Sequence, residues 1–176
     1  MNKEEGKTVA ESKTVFTQLI MPNDTNPLGN LMGGNLMRWM DIAGGICAGR
    51  HTNNNVVTVS VDNVSFKEAI KVGDVITINA NVTRAFNTSI EVFLEVFTTS
   101  LSSNIPKKSN NAYFTFVALD AKTLKPTKVK PVVPLTEDEV KRYEGALRRR
   151  DLRLILAGKM DPKDAKDLRQ FFRDLD

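Results

Sequence analysis

Residues 26–41 read NPLGNLMGGNLMRWMD, and three residue types in this stretch suit attack on an acyl carbonyl. Asp41 sits among Met37, Trp39, Met40, Ile42 and Ala43. So little polar helix surface surrounds it that its charge is expected to be partly desolvated, which points to a base or nucleophile. Gly33 and Gly34 stand where a helix should begin, and N–H groups there lack intrahelical acceptors while the dipole favours negative charge. Glycine lets a substrate oxygen reach such an amide, and one donor of this kind can be worth about 3 kcal/mol in a transition state. The competing reading is plainer: the glycines pack helix against sheet and Asp41 is a surface carboxylate. A length argument separates the two residues. Eight residues of helix place Asp41 about 12 Å from Gly33, too far for both to address one carbonyl. If two copies pack their helices antiparallel, Asp41 of one meets the Gly33 end of the other, and a symmetric dimer holds two composite sites.

The helix that must carry these residues is expected from Gly33 to Arg50. Its apolar positions Leu36, Met37, Trp39, Met40, Ile42, Ala43, Ile46, Cys47 and Ala48 run almost all round it, so other structure has to wrap it. KTVFTQLIMP before it alternates as a first strand that Pro22 ends. After it, VVTVSVDNVSF, VGDVITINANVTRAF, TSIEVFLEVFTTS and NAYFTFVALD are rich in β-branched and aromatic residues and are separated by turn signals. One buried helix and mostly consecutive strands imply an α+β fold, a largely antiparallel sheet curled round the helix. Residues 1–12 read as a loose N-terminus, 13–135 as the domain and 136–176 as a helical extension. In that extension TEDE forms a capping box at Thr136 and Glu139, a charged helix runs to about Ala157, and a second begins at Asp161-Pro162. Leu168, Phe171, Phe172 and Leu175 form its apolar stripe.

Composition narrows the chemistry. The 176-residue chain, 41% hydrophobic and 26% charged, suits one domain with extensions, and its net charge of +4 is too mild for a nucleic-acid footprint. Cys47 and His51 are each the single residue of their type, so a disulfide framework, a cysteine zinc site and a histidine triad are unexpected. Catalysis must then rest on carboxylates, amides and backbone groups, without metal or other cofactor. The polar first dozen residues lack a signal-peptide core and no run of about 18 apolar residues occurs, so a cytoplasmic protein that is not membrane-bound is expected.

PNDTNPLGNLMGGNLMRWMD, VVTVSVDNVSF, IKVGD and TSIEVFLEV, in that order and spacing, resemble the hotdog-fold acyl-CoA thioester hydrolases of the cytosolic acyl-CoA hydrolase type, over roughly residues 13–135. The resemblance implies a hotdog fold, dimers aligned edge to edge and commonly assembled as trimers of dimers, and acyl-CoA as substrate, with CoA entering only as part of substrate and product. It also implies Asn26 as a catalytic amide and Asp41 as the acid, from opposite subunits, with Gly33 as oxyanion donor. Water would attack with Asp41 as general base, or Asp41 would itself attack to give a mixed anhydride. Asn26 before Pro27 also suits an Asx-turn.

Around the CoA moiety, Thr88 and Ser89 are the contacts the resemblance implies, beside Gly34. Phe86 and Asn87 stand where relatives more often carry glycine and a basic residue, and Ala69 where proline is usual. Arg84, Lys128 and Lys130 are candidate phosphate ligands. The cluster Arg148, Arg149, Arg150 and Arg153 reads rather as a solvated or inter-subunit face, and His51 as a cation at the helix end. Two other functions compete: a hotdog dehydratase or hydratase, which would need a placed histidine, and a non-catalytic acyl-CoA sensor.

Overall fold

A computed structural model describes residues 5–62, 64, 68–103 and 105–173. Strands β1 (Lys7–Thr8) and β2 (Thr14–Leu19) lead to helix α1 (Gly33–Thr52). Then come β3 (Asn55–Asp62), β4 (Asp74–Ala85), β5 (Ser89–Ser100), β6 (Lys107–Leu119), β7 (Val132–Val133), α2 (Glu137–Leu156) and α3 (Lys166–Arg173). Five strands form one antiparallel sheet, as the run of consecutive strands predicts, and their order is β2-β4-β5-β6-β3. Asn63, Ser65 and Phe66 of VVTVSVDNVSF and Leu175 of the C-terminal stripe lie outside the described residues.

Register assigns the faces, because cross-strand partners point the same way. Ile90, Val92 and Leu94 pair with Phe116, Phe114 and Ala112 and turn to the concave face, where they bury Leu36, Trp39, Met40, Ala43, Cys47 and Ala48 of α1. Within α1, Gly44 is closely packed on the sheet: a Cβ there would lie 2.9 Å from the Phe116 ring. Burial pushes the Cys47 thiol up to about 12, which removes it as a nucleophile.

Two expectations are corrected here. The segment before β2 is not loose throughout, since β1 pairs in parallel with β7, Val9 and Ser12 are buried, and Lys7 Nζ donates to the α1 C-terminal carbonyl of Arg50 at 2.8 Å. A two-residue strand is too short to leave a periodic signature. His51 is not a cation capping the helix. It is fully buried, and desolvation holds its pKa below the usual histidine range. Its Nε2 lies 3.1 Å from the Lys130 carbonyl and therefore carries the proton. The helix instead ends on Asn53 in the left-handed conformation, with Lys7 supplying the charge.

The arginine run on α2 is neither solvated nor free. The sheet has a second, convex face bearing Glu91, Phe93, Tyr113 and Thr115, and the arginines dock α2 against it. Arg149 grips the fully buried Glu91 with Nη2–Oε1 at 2.7 Å and stacks 3.8 Å from the Tyr113 ring centre. Thr83 Oγ1 donates to the same carboxylate, and Arg153 pairs with Asp62 at 2.8 Å. Arg142 lies 4.6 Å from the Phe93 ring centre. The capping box forms as expected at Thr136 and Glu139. Because Arg149→Leu would strand a buried carboxylate, we expect it to cost about 3–5 kcal/mol of stability, read as a lower urea midpoint at fixed protein concentration. Leucine at both positions 91 and 149 should recover much of that loss.

Candidate active site

The loop before α1 is built around Asn26. Its backbone N–H donates to Asn30 O at 2.8 Å, while its Oδ1 accepts from the N–H of Leu28 at 3.0 Å and of Asn30 at 3.2 Å. Gly29 closes the turn at φ +73°, a conformation that favours glycine. The Asx-turn is therefore present, and it does not compete with a catalytic role. Two backbone donors hold Oδ1, which leaves the half-exposed amide's Nδ2–H groups for a ligand.

Gly33 and Gly34 open α1 as the sequence predicts, with Met32 at the cap. A Cβ at Gly34 would meet nothing within 4 Å, so packing inside the chain does not explain that glycine. Gly33 lines a cleft of about 330 Å³ together with Leu31, Leu36, Ile70, Ser109 and Asn110.

Asp41 lies two turns along α1 on its open side and is exposed in the single chain, which corrects the expected desolvation. Trp39, Met40 and Ala43 turn inward, whereas Arg38, Asp41, Ile42 and Ile46 face outward. An apolar circumference did not mean burial by this chain's own residues. The carboxylate has one partner that sequence reading missed: Thr58 Oγ1 donates to Asp41 Oδ1 at 2.5 Å. Thr58 pairs with Phe116 across β3–β6 and so points to the helix, immediately before a bulge at Val59. Edge strand β3 leaves Val57, Val59 and Val61 exposed, and α1 leaves Ile42 and Ile46 exposed.

The predicted CoA contacts separate into two groups. Thr88 lies in the β4–β5 turn and Ser89 opens β5, and the Val129 N–H donates to Asn87 O at 3.0 Å, which brings the exposed Lys128 and Lys130 alongside them. The Lys130 carbonyl meets His51, so this group sits at the C-terminal end of α1. Arg84 does not join it. Its guanidinium stacks 4.1 Å from the Tyr143 ring centre and donates to the Tyr143 carbonyl at 3.1 Å, docking α2. Gly33 and Asn26 occupy the opposite end of a 20-residue helix, roughly 30 Å long at 1.5 Å per residue. One chain thus holds the two predicted groups apart, at opposite ends of α1 with Asp41 between them.

Among the described residues, no cluster of three or more His, Cys, Asp or Glu side chains is arranged to hold a metal, and no helix is long and apolar enough to cross a membrane.

The thioesterase superfamily model matches residues 28–102. An acyl-CoA thioester hydrolase of Bacillus subtilis, YkhA, is 36% identical over 149 residues, covering 85% of this chain and 86% of that protein. The chain belongs to the thioesterase superfamily, among the hotdog-fold acyl-CoA hydrolases. Mouse acyl-coenzyme A thioesterase 11 is 40% identical over 142 residues, but the chain spans only 24% of its length. An apo-hexameric acyl-CoA thioesterase superposes with TM-score 0.81 at 35% identity, covering 86% of this chain and 97% of that one. The Staphylococcus aureus acyl-CoA hydrolase in complex with butyryl-CoA, CoA and CoA disulfide gives 0.80 at 34%, covering 88% and 96%. That hydrolase has also been solved with an Asn, an Asp or a Thr replaced by Ala, at positions separated by 15 and 17 residues. Asn26, Asp41 and Thr58 stand at the same two intervals.

Proposed function

We propose that this chain hydrolyses acyl-CoA thioesters to free acid and CoA at sites shared between two copies. The observation that carries the reading is Asp41, held by Thr58 on the open side of α1, at the same intervals from Asn26 and Thr58 as the replaced residues of the staphylococcal hydrolase. In the proposed reaction, the thioester oxygen accepts from the Gly33 N–H at the helix start, and Asn26 Nδ2 orients the carbonyl or the water. Asp41 takes a proton as water oxygen bonds to the acyl carbon. The tetrahedral intermediate then collapses with cleavage of carbon–sulfur, and the CoA sulfur recovers the proton. Thr58 fixes which carboxylate oxygen faces the water. The buried, neutral His51 lends no support to dehydratase chemistry.

A second copy is also the occupant that suits the open face. An eight-residue edge strand paired on one side only, with three exposed valines, is a template for pairing, and none of the usual protective lysines or prolines interrupts it. Antiparallel α1 helices across that edge would bring Thr88, Ser89, Lys128 and Lys130 of one copy toward the Gly33 end of the other. Trimers of such dimers are the proposed assembly. Val59→Lys should split the assembly to monomers in light-scattering chromatography and abolish thiol release.

The activity is tested by thiol release from purified protein across short, medium and long acyl-CoA esters, with chelator present. Release above the uncatalysed rate is expected, and its absence for every ester would refute the proposal. Thr58→Ala should lower kcat about tenfold, the worth of one hydrogen bond to a charged group, and Thr58→Ser should restore it.

A further inference from the structure

We infer that Asn110 is a specificity-determining residue that favours acyl groups carrying a hydrogen-bond acceptor, such as an oxo or hydroxyl oxygen, over plain alkyl chains of the same length. The inference rests on the thioesterase reading, since it takes the Gly33 cleft as the place where the acyl group enters.

The cleft is not uniformly greasy. Leu31, Leu36 and Ile70 supply apolar wall, but Ser109 and Asn110 of β6 also line it. Asn110 pairs with Val96, a concave-face residue, so its side chain turns toward α1 rather than solvent, and only 7% of it is exposed. Its Oδ1 accepts from the Asn111 N–H at 2.7 Å. Because that partner is a donor, the oxygen must be the atom there, and the atom left over is Nδ2. This Nδ2 is buried and has no hydrogen-bond partner among the described residues. A buried donor left unmet carries a desolvation penalty, and a ligand oxygen that meets it removes the penalty. Sites with such a group discriminate against substrates lacking the matching atom. Ser109 does not compete for the role of donor, because its hydroxyl already donates to Val96 O at 3.2 Å. Glu68, at the rim of the same cleft, disfavours a carboxylate-bearing chain, which leaves neutral acceptors as the matching class.

The test compares kcat/KM for butanoyl-CoA with that for 3-oxobutanoyl-CoA, 3-hydroxybutanoyl-CoA and 4-oxopentanoyl-CoA. Wild-type protein is measured beside Asn110→Leu and Asn110→Asp. Comparing ratios between variants cancels the intrinsic reactivity of each ester. The aspartate variant keeps the side-chain volume and the bond from Asn111, so it guards against simple misfolding, with thermal melts and oligomeric state checked for both. We expect the ratio for at least one oxygen-bearing ester to fall about tenfold in both variants, the loss of one hydrogen bond. Ratios that stay within twofold of wild type while butanoyl-CoA is still hydrolysed would overturn the role of Asn110 and leave the thioesterase reading standing. No thiol release from any ester by wild-type protein would remove both.

Discussion

Replacing Asp41 by Asn should lower kcat by about 10² or more while the fold and the oligomer persist. The change is nearly isosteric, and Asp41 is exposed in the single chain, so no buried contact within that chain depends on its charge. Thr58 Oγ1 can still donate to the amide oxygen in place of Oδ1, which preserves the position of the side chain. What disappears is the carboxylate proposed to take a proton from water, a role that His51 and Cys47, buried in the core, cannot fill. A steady-state thiol assay on the purified variant, with its melt and its size compared with wild type, measures this. The drop should fall on kcat and kcat/KM together, as for an interaction made in the transition state. Full activity in Asp41→Asn would remove Asp41 from the mechanism.

Which features could be read in advance follows from how locally each is encoded. The start of α1 was legible because glycines followed by a proline-free apolar run mark a helix boundary, and the sheet was legible because β4, β5 and β6 are long and β-branched. Asn26, Gly33 and Asp41 fall within one short stretch, so their types and spacing could be weighed together. Thr58 could not be weighed in that way. It reaches Asp41 through the register of β3 on β6, and nothing in VVTVSVD distinguishes Thr58 from any other strand threonine. The arginines of α2 were misjudged for a related reason, since the partners of Arg149 and Arg153 lie 58 and 91 residues earlier, on a sheet face that no local pattern identifies. Arg84 was misread with them, its partner Tyr143 lying 59 residues later. The exposure of Asp41 has a different origin. An all-round apolar helix implies burial by something, and sequence alone does not say whether that is the same chain or a second copy.

The second large effect concerns that second copy. Asn26→Ala and Asp41→Ala should each be nearly inactive as homodimers, yet a heterodimer of the two should recover about half the wild-type activity per dimer. In the mixed pair one site contains both defects and the other contains neither, provided that each site takes Asn26 and Gly33 from one chain and Asp41 from its partner. The separation of about 12 Å between Gly33 and Asp41 along a rigid helix motivates the arrangement, because a single chain cannot bring both to one carbonyl. Assembly into larger rings changes the count of sites but not the sign of the effect. The decisive measurement is thiol release by heterodimers of differently tagged chains, isolated by two affinity steps and confirmed in composition, against each mutant homodimer. Activity near half of wild type is the predicted result; a heterodimer as inactive as both parents would contradict a catalytic site shared between two chains.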